Sequence, residues 1–259
     1  MRCPKCGEQQ TDANTVCSSC GIVFAKFYKY NPPPDTDNQP AIHDHTVHDG
    51  TDSGPGLADI HPVSRFKQRL FLDSSDQDIV YVCARGLLLA GMLILSYKLL
   101  TSTITSNYVG EIFLHNINLV FHEAGHIVFR LFGQFIATLG GSLGQILMPA
   151  VCCYAFLFRS TNPFAAAVCF WWVGENFIDI SPYINDANAG VLPLLGGNYG
   201  HTAPYGFHDW EYLLTESGLI KHDHLIARMS FFTGAIIMLL ALVWGGVLLR
   251  RQFKATRRK

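Results

Sequence analysis

Five apolar runs, at about 79–100, 112–135, 136–158, 164–184 and 226–249, each come close to the ~20 residues with which a helix crosses a hydrocarbon core. A segment inside lipid must satisfy its own backbone, so runs of this length without strand alternation are helices. Charged residues make up 15% of the 259-residue chain against 49% hydrophobic, and they gather in the first 80 residues and the last ten. The expected fold is an all-α polytopic membrane protein with four to five transmembrane helices and a small N-terminal module. The strongly basic tail favours the cytoplasmic side by the positive-inside rule, and five complete crossings would put the N-terminus on the other face. The third run, with Gly140, Gly141, Gly144 and Pro149, is the first candidate for a broken or re-entrant segment.

Residues 1–30 hold four of the eight cysteines in two Cys-x-x-Cys-Gly knuckles, Cys3 with Cys6 and Cys17 with Cys20. Each knuckle presents two thiolates, and together they complete a closed, tetrahedral S4 zinc site of the structural kind. The alternative is two disulfides or a redox pair, but no thioredoxin-like βαβ pattern surrounds these cysteines. Thiolate ligands need a reducing compartment, which places the N-terminus in the cytoplasm. The opening Met1-Arg2-Cys3-Pro4 leads into polar sequence rather than an apolar signal segment. Cys83, Cys152, Cys153 and Cys169 lie in apolar runs and act there as small hydrophobes.

Residues 31–63, rich in Pro, Asp, Gly, Thr and His, are too poor in apolar side chains to offset their ordering entropy and read as a disordered linker. The His43, Asp44, His45, His48 and Asp49 tract within it fits a solvated linker better than a specific metal site. Residues 64–78 form a juxtamembrane segment whose mixed basic and apolar positions suit the headgroup layer. The helical membrane domain then covers 79–250 and the basic tail 251–259. The net charge of −1, with only Arg2, Lys5, Lys26 and Lys29 scattered through the N-terminal module, disfavours a nucleic-acid partner.

Inside the second run stands His122-Glu123-Ala124-Gly125-His126. Residues four apart share a helix face, so His122 and His126 can ligate one metal while Glu123 acts as general base beside it. Ionisable groups at membrane depth are costly, which makes a functional site the default for this motif. Glu111, His115, Asn118, His122 and His126 follow at spacings of four, three, four and four, one continuous polar stripe. The fourth run carries a matching stripe of Asn176, Asp179, Tyr183 and Asp186. Its two carboxylates lie about two turns, or ~10 Å, apart, so one ion can take only one of them directly. The loop before the fifth run adds His208-Asp209 and His222-Asp223-His224, in which His208, and less so His222 or His224, is a further ligand candidate.

The two knuckles resemble the zinc-ribbon family. The His-Glu-x-x-His motif followed by a later intramembrane aspartate resembles the site-2-protease family of intramembrane zinc metallopeptidases. That resemblance implies His122 and His126 as zinc ligands, Glu123 as the catalytic base, and Asp179 or Asp186 as the third ligand. The Asn-Pro-Asp-Gly element usual in that family has no direct counterpart, Ser181 to Ala187 being the nearest stretch. A ribbon ahead of such a motif is also similar to a group of small bacterial membrane proteins, which implies an inner-membrane location.

The function expected is intramembrane zinc-dependent hydrolysis, most simply of membrane proteins. A zinc-dependent lipid amide or ester hydrolase is the second enzyme candidate. A non-catalytic metal-binding regulator, whose ribbon docks a cytoplasmic protein, is the third.

Overall fold

The computed structural model describes residues 3, 4, 8, 9, 11, 15–20, 22–30, 69–71 and 78–257. The chain divides into two compact units, Met1–Gly56 and Leu57–Lys259. The expected linker and most of the juxtamembrane segment lie outside the described residues.

In the first unit the repeated cysteine spacing produces a repeated turn. Cys3 N–H donates to Glu8 O and Cys17 N–H to Ile22 O, both at 2.9 Å. Val16 pairs with Val23 in an isolated antiparallel bridge, and a short helix α1 (Phe24–Tyr30) follows. Phe24 packs into a small buried cluster with Cys3 and Cys17.

The second unit is built from α2 (Ile79–Thr101), α3 (Phe113–Phe129), α4 (Gln134–Phe158), α5 (Pro163–Asn185), α6 (Asp209–Glu216) and α7 (Asp223–Thr256). Five of these coincide with the five apolar runs, while α6 rises from the loop before the last run. Three stretches, Ile79–Thr101, Gln134–Phe158 and Ile220–Thr256, are long and apolar enough to cross a membrane. The other two long helices are not, and each for a physical reason. The second run ends early: α3 has 17 residues and stops at Phe129, followed by a 3-10 turn and Gly133 at φ +89°. Its polar stripe is also shorter than the spacing suggests, because the extended backbone at Ile112 separates Glu111 from α3. In α5 the polar stripe dilutes the apolar run, and sixteen of its 23 residues are buried by protein instead.

Helix α5 is the centre of the unit. It opens on Asn162, whose side chain accepts from Ala165 N–H, with Pro163 in the first turn where its missing N–H costs nothing. It packs most extensively on α7 and then on α4. A Cβ on Gly174 would lie 2.7 Å from Gly234 O, so the α5–α7 crossing requires small residues at that point. Lipid solvates apolar side chains as well as protein does, so such close packing, rather than apolar burial, holds helices of this kind together. Trp171, Ile178, Met238, Ala241 and Leu242 fill the core beside the crossing.

Helix α4 runs unbroken through Pro149 and is among the three long apolar stretches. The expectation of a broken third run is therefore corrected. Its glycines serve close approach instead: a Cβ on Gly140 would lie 2.8 Å from Gly125 O, so the glycines let α3 and α4 touch backbone to backbone. That contact presses the His-Glu-x-x-His face of α3 onto α4.

Candidate metal centre

His122 and His126 occupy successive turns of α3, with ring centroids 4.8 Å apart. Each has its Nδ1 committed to an oxygen of α4. His126 Nδ1 lies 2.8 Å from the Ala137 carbonyl, and His122 Nδ1 lies 2.7 Å from Gln145 Oε1. Carbonyl oxygens only accept, so both Nδ1 atoms carry the proton, and in the neutral imidazoles the lone pair then falls on Nε2. Those lone pairs converge on one carboxylate oxygen, Asp209 Oδ2, 2.9 Å from His122 Nε2 and 3.3 Å from His126 Nε2. Two lone pairs do not face a carboxylate unless a proton or a cation lies between them. Burial alone would raise the Asp209 carboxyl, but the His122 and His126 imidazoles outweigh it and hold Asp209 below the usual carboxylate range.

The donor set fits a metal ion. A tetrahedral ion with bonds of about 2.0–2.1 Å separates its ligand atoms by about 3.3 Å, close to the two distances observed. Both imidazoles donate their second nitrogen to an acceptor, the arrangement typical of ligating histidines. Gly141 of α4 faces the same point: a Cβ there would stand 2.5 Å from His122 Nε2 and 2.6 Å from His126 Nε2. Glu123 is exposed, and its carboxylate belongs to the same cluster, in which the ligand atoms of His122, Glu123 and His126 lie within 4.8 Å of one another.

Asp209 is held by local structure. It is the first residue of α6, whose N-cap is His208: the His208 Nδ1 accepts from Glu211 N–H at 3.2 Å. Capping turns the His208 ring back along the helix and leaves the next side chain, Asp209, facing α3. The Asp209 N–H donates to Tyr183 Oη at 3.1 Å, and Trp210 Nε1 donates to Ser142 Oγ at 3.2 Å, so α6 is tied to α5 and α4.

The other expected ligands sit elsewhere. His208 is fully buried and stacks on Tyr183 with centroids 4.2 Å apart, and its Nε2 is 3.7 Å from Asp186 Oδ2. Asp186 accepts from Val191 N–H and Leu192 N–H at 3.0 and 2.8 Å and so ties down the loop after α5. Burial pushes the Asp186 carboxyl up, but His208 and the two amides hold it below its ordinary value. Asp179 accepts from His115 Nδ1 at 2.7 Å and from Asn118 Nδ2 and Gln145 Nε2 at 3.1 Å each. It reaches the histidine pair only through Gln145. His224 bonds Asn185 Oδ1, and His222 is exposed in the turn before α7.

Sequence periodicity does not select Asp209 or Gln145. In the His208-Asp209 pair it is the helix cap that decides which neighbour turns inward, and adjacency alone carries no sign of it. Gln145 is a single uncharged residue in a glycine-rich apolar run and gives no pattern to follow.

No family model matches the chain, and comparisons with curated proteins and with solved structures give no match either.

A second group that could hold a metal ion lies in the first unit. Cys3, Cys17 and Cys20 cluster with sulfurs within 4.8 Å of one another. Cys3 Sγ and Cys20 Sγ are 3.6 Å apart, close to the roughly 3.8 Å edge of an S4 tetrahedron with bonds of about 2.3 Å. These cysteines are not in disulfides. The Cys20 N–H points at Cys17 Sγ at 3.5 Å. Cys6, the expected fourth member, lies outside the described residues.

Proposed function

We propose that the chain is a zinc-dependent hydrolase of a membrane, acting as a metallopeptidase on membrane proteins. The convergence of His122 Nε2 and His126 Nε2 on Asp209 Oδ2 carries this reading. His122, His126 and Asp209 would hold the ion, leaving a fourth position open as catalytic sites do. In place of Asp179 or Asp186, Asp209 then becomes the third ligand. Nitrogen and carboxylate donors in this number suit zinc, which supplies Lewis acidity to a carbonyl and lowers the pKa of water toward ~7. Glu123, exposed beside the ligands, takes the proton of the attacking water and returns it to the leaving amine. The four cysteines of the first unit form a structural zinc ribbon in this reading. In the same reading the ribbon is cytoplasmic, where thiolate ligands stay reduced, with the membrane domain in the bacterial inner membrane and the ribbon free to dock a cytoplasmic partner.

One observation favours a second substrate class. A groove of about 710 Å3 between α2, α3 and α5 is lined almost wholly by apolar side chains, among them Leu88, Leu95, Ile117 and Trp172. Its size lies within the ~300–1,000 Å3 of small-molecule sites, which suits a lipid acyl chain.

The test is Glu123→Gln, expressed in place of the wild type, with membrane proteomics and lipidomics read side by side. A peptidase leaves uncut membrane proteins to accumulate, with cleavage slowed about 10²–10⁴-fold. A lipid hydrolase leaves uncut lipid amides or esters. No change in either pool contradicts hydrolysis.

A further inference from the structure

Asp179 lies on the polar stripe of α5, yet it touches neither histidine of the metal centre. What it touches forms a chain of hydrogen bonds whose direction is fixed at both ends. Trp172 Nε1 can only donate, and it donates to Asn118 Oδ1 at 2.8 Å. The Asn118 amide is thereby oriented, and its Nδ2 faces the carboxylates of Glu175 and Asp179 at 3.0 and 3.1 Å. Asp179 collects three donors: His115 Nδ1 on Oδ1, and Asn118 Nδ2 and Gln145 Nε2 on Oδ2. An ionised carboxylate can only accept, so the Gln145 amide must turn its nitrogen toward Asp179. Its oxygen then faces His122 Nδ1 at 2.7 Å and requires a proton there. In the neutral ring, a proton on Nδ1 leaves the lone pair on His122 Nε2, the atom that points at Asp209.

We infer that Asp179 is a positioning residue for the metal centre, acting through Gln145 to fix the tautomer of His122. This role rests on the metal centre proposed above. Asn118, Gln145 and Asp179 are all buried, so water cannot replace the missing partner if one link is cut. His126 needs no such device, because a backbone carbonyl, which cannot flip, already sets its tautomer. An amide can flip, and a residue that holds it in one orientation is needed only at His122.

The full chain in detergent, in a Cys3→Ser background that removes the ribbon's contribution, is titrated with buffered zinc. Asp179→Asn supplies an amide that tolerates either orientation of Gln145, and zinc affinity is expected to fall about 10–100-fold. The double variant Asp179→Asn with Gln145→Glu is expected to recover most of that loss. The carboxylate introduced at position 145 would accept from the amide introduced at position 179 on one side and from His122 Nδ1 on the other, restoring the direction of the chain. A zinc affinity for Asp179→Asn within about 3-fold of the parent overturns the inference and leaves the metal centre standing. A loss that the double variant does not recover also overturns it, since a direct ligand or a purely structural role would not be rescued by changing Gln145. A parent chain that binds no zinc overturns the metal centre, and the inference with it.

Discussion

Asp209 Oδ2 stands 2.9 Å from His122 Nε2, although 87 residues separate them in the chain. The distance is set by two short-range devices, a helix cap at His208 and a glycine contact between α3 and α4, rather than by any long element shared by the two residues. Substitutions that disturb the cap at His208 should therefore act on the metal centre while leaving the α3–α4 contact in place.

Asp209→Ala removes the only carboxylate within hydrogen-bond distance of both Nε2 atoms among the described residues. Its zinc affinity should fall by more than the roughly 10–100-fold typical of losses beyond the ligands themselves. His224→Ala, which leaves the histidine pair and the His208 cap untouched, should bind zinc at close to wild-type affinity. Competition against a chromophoric chelator measures both, and equal losses in the two variants would argue against Asp209 as the ligand.

Gly141→Ala tests the space between the imidazoles. Alanine is favoured over glycine inside a helix by about 1 kcal/mol, so α4 itself gains from the change. The new methyl, however, would stand 2.5 and 2.6 Å from the two Nε2 atoms. The variant should keep its helical circular dichroism in detergent while losing zinc from the membrane unit.

The loop after α5 should show an acid-dependent weakness. Against the opposing push of burial, His208 and the amides of Val191 and Leu192 hold the Asp186 carboxyl below its ordinary value. A carboxyl lowered in the folded state contributes stability above the unfolded pKa of about 3.9, and that contribution is lost as pH falls through the folded value. Asp186→Asn should therefore cost roughly 1.5–3 kcal/mol at neutral pH, the range for hydrogen bonds to a charged group. The gap from the wild type should close below about pH 4. Thermal unfolding in detergent from pH 3 to 7 gives the comparison, and a gap that stays constant over that range would contradict the assignment.

Much of this arrangement was legible in the sequence, and the remainder was not for identifiable reasons. Apolar runs located all five long helices, since length and hydropathy are local properties. Three of the five have both the length and the hydropathy of a span, because the polar stripes of α3 and α5 are buried against each other and against α4 rather than spaced between lipid-facing turns. Helical periodicity put His122 and His126 on one face and placed Asp179 near them. It could not show that Gln145 stands between Asp179 and His122, because that contact is made by a lone amide from a third helix. The cysteine spacing located Cys3, Cys17 and Cys20 as a cluster, while Cys6 lies outside the described residues.

Metal counting on the purified full chain tests the central claim most directly. Elemental analysis of the wild type should give two zinc ions per chain. His122→Ala should give one and Cys3→Ser should give one, each variant removing a different ion. A wild-type chain with a single zinc that His122→Ala leaves in place would contradict a metal centre at His122, His126 and Asp209.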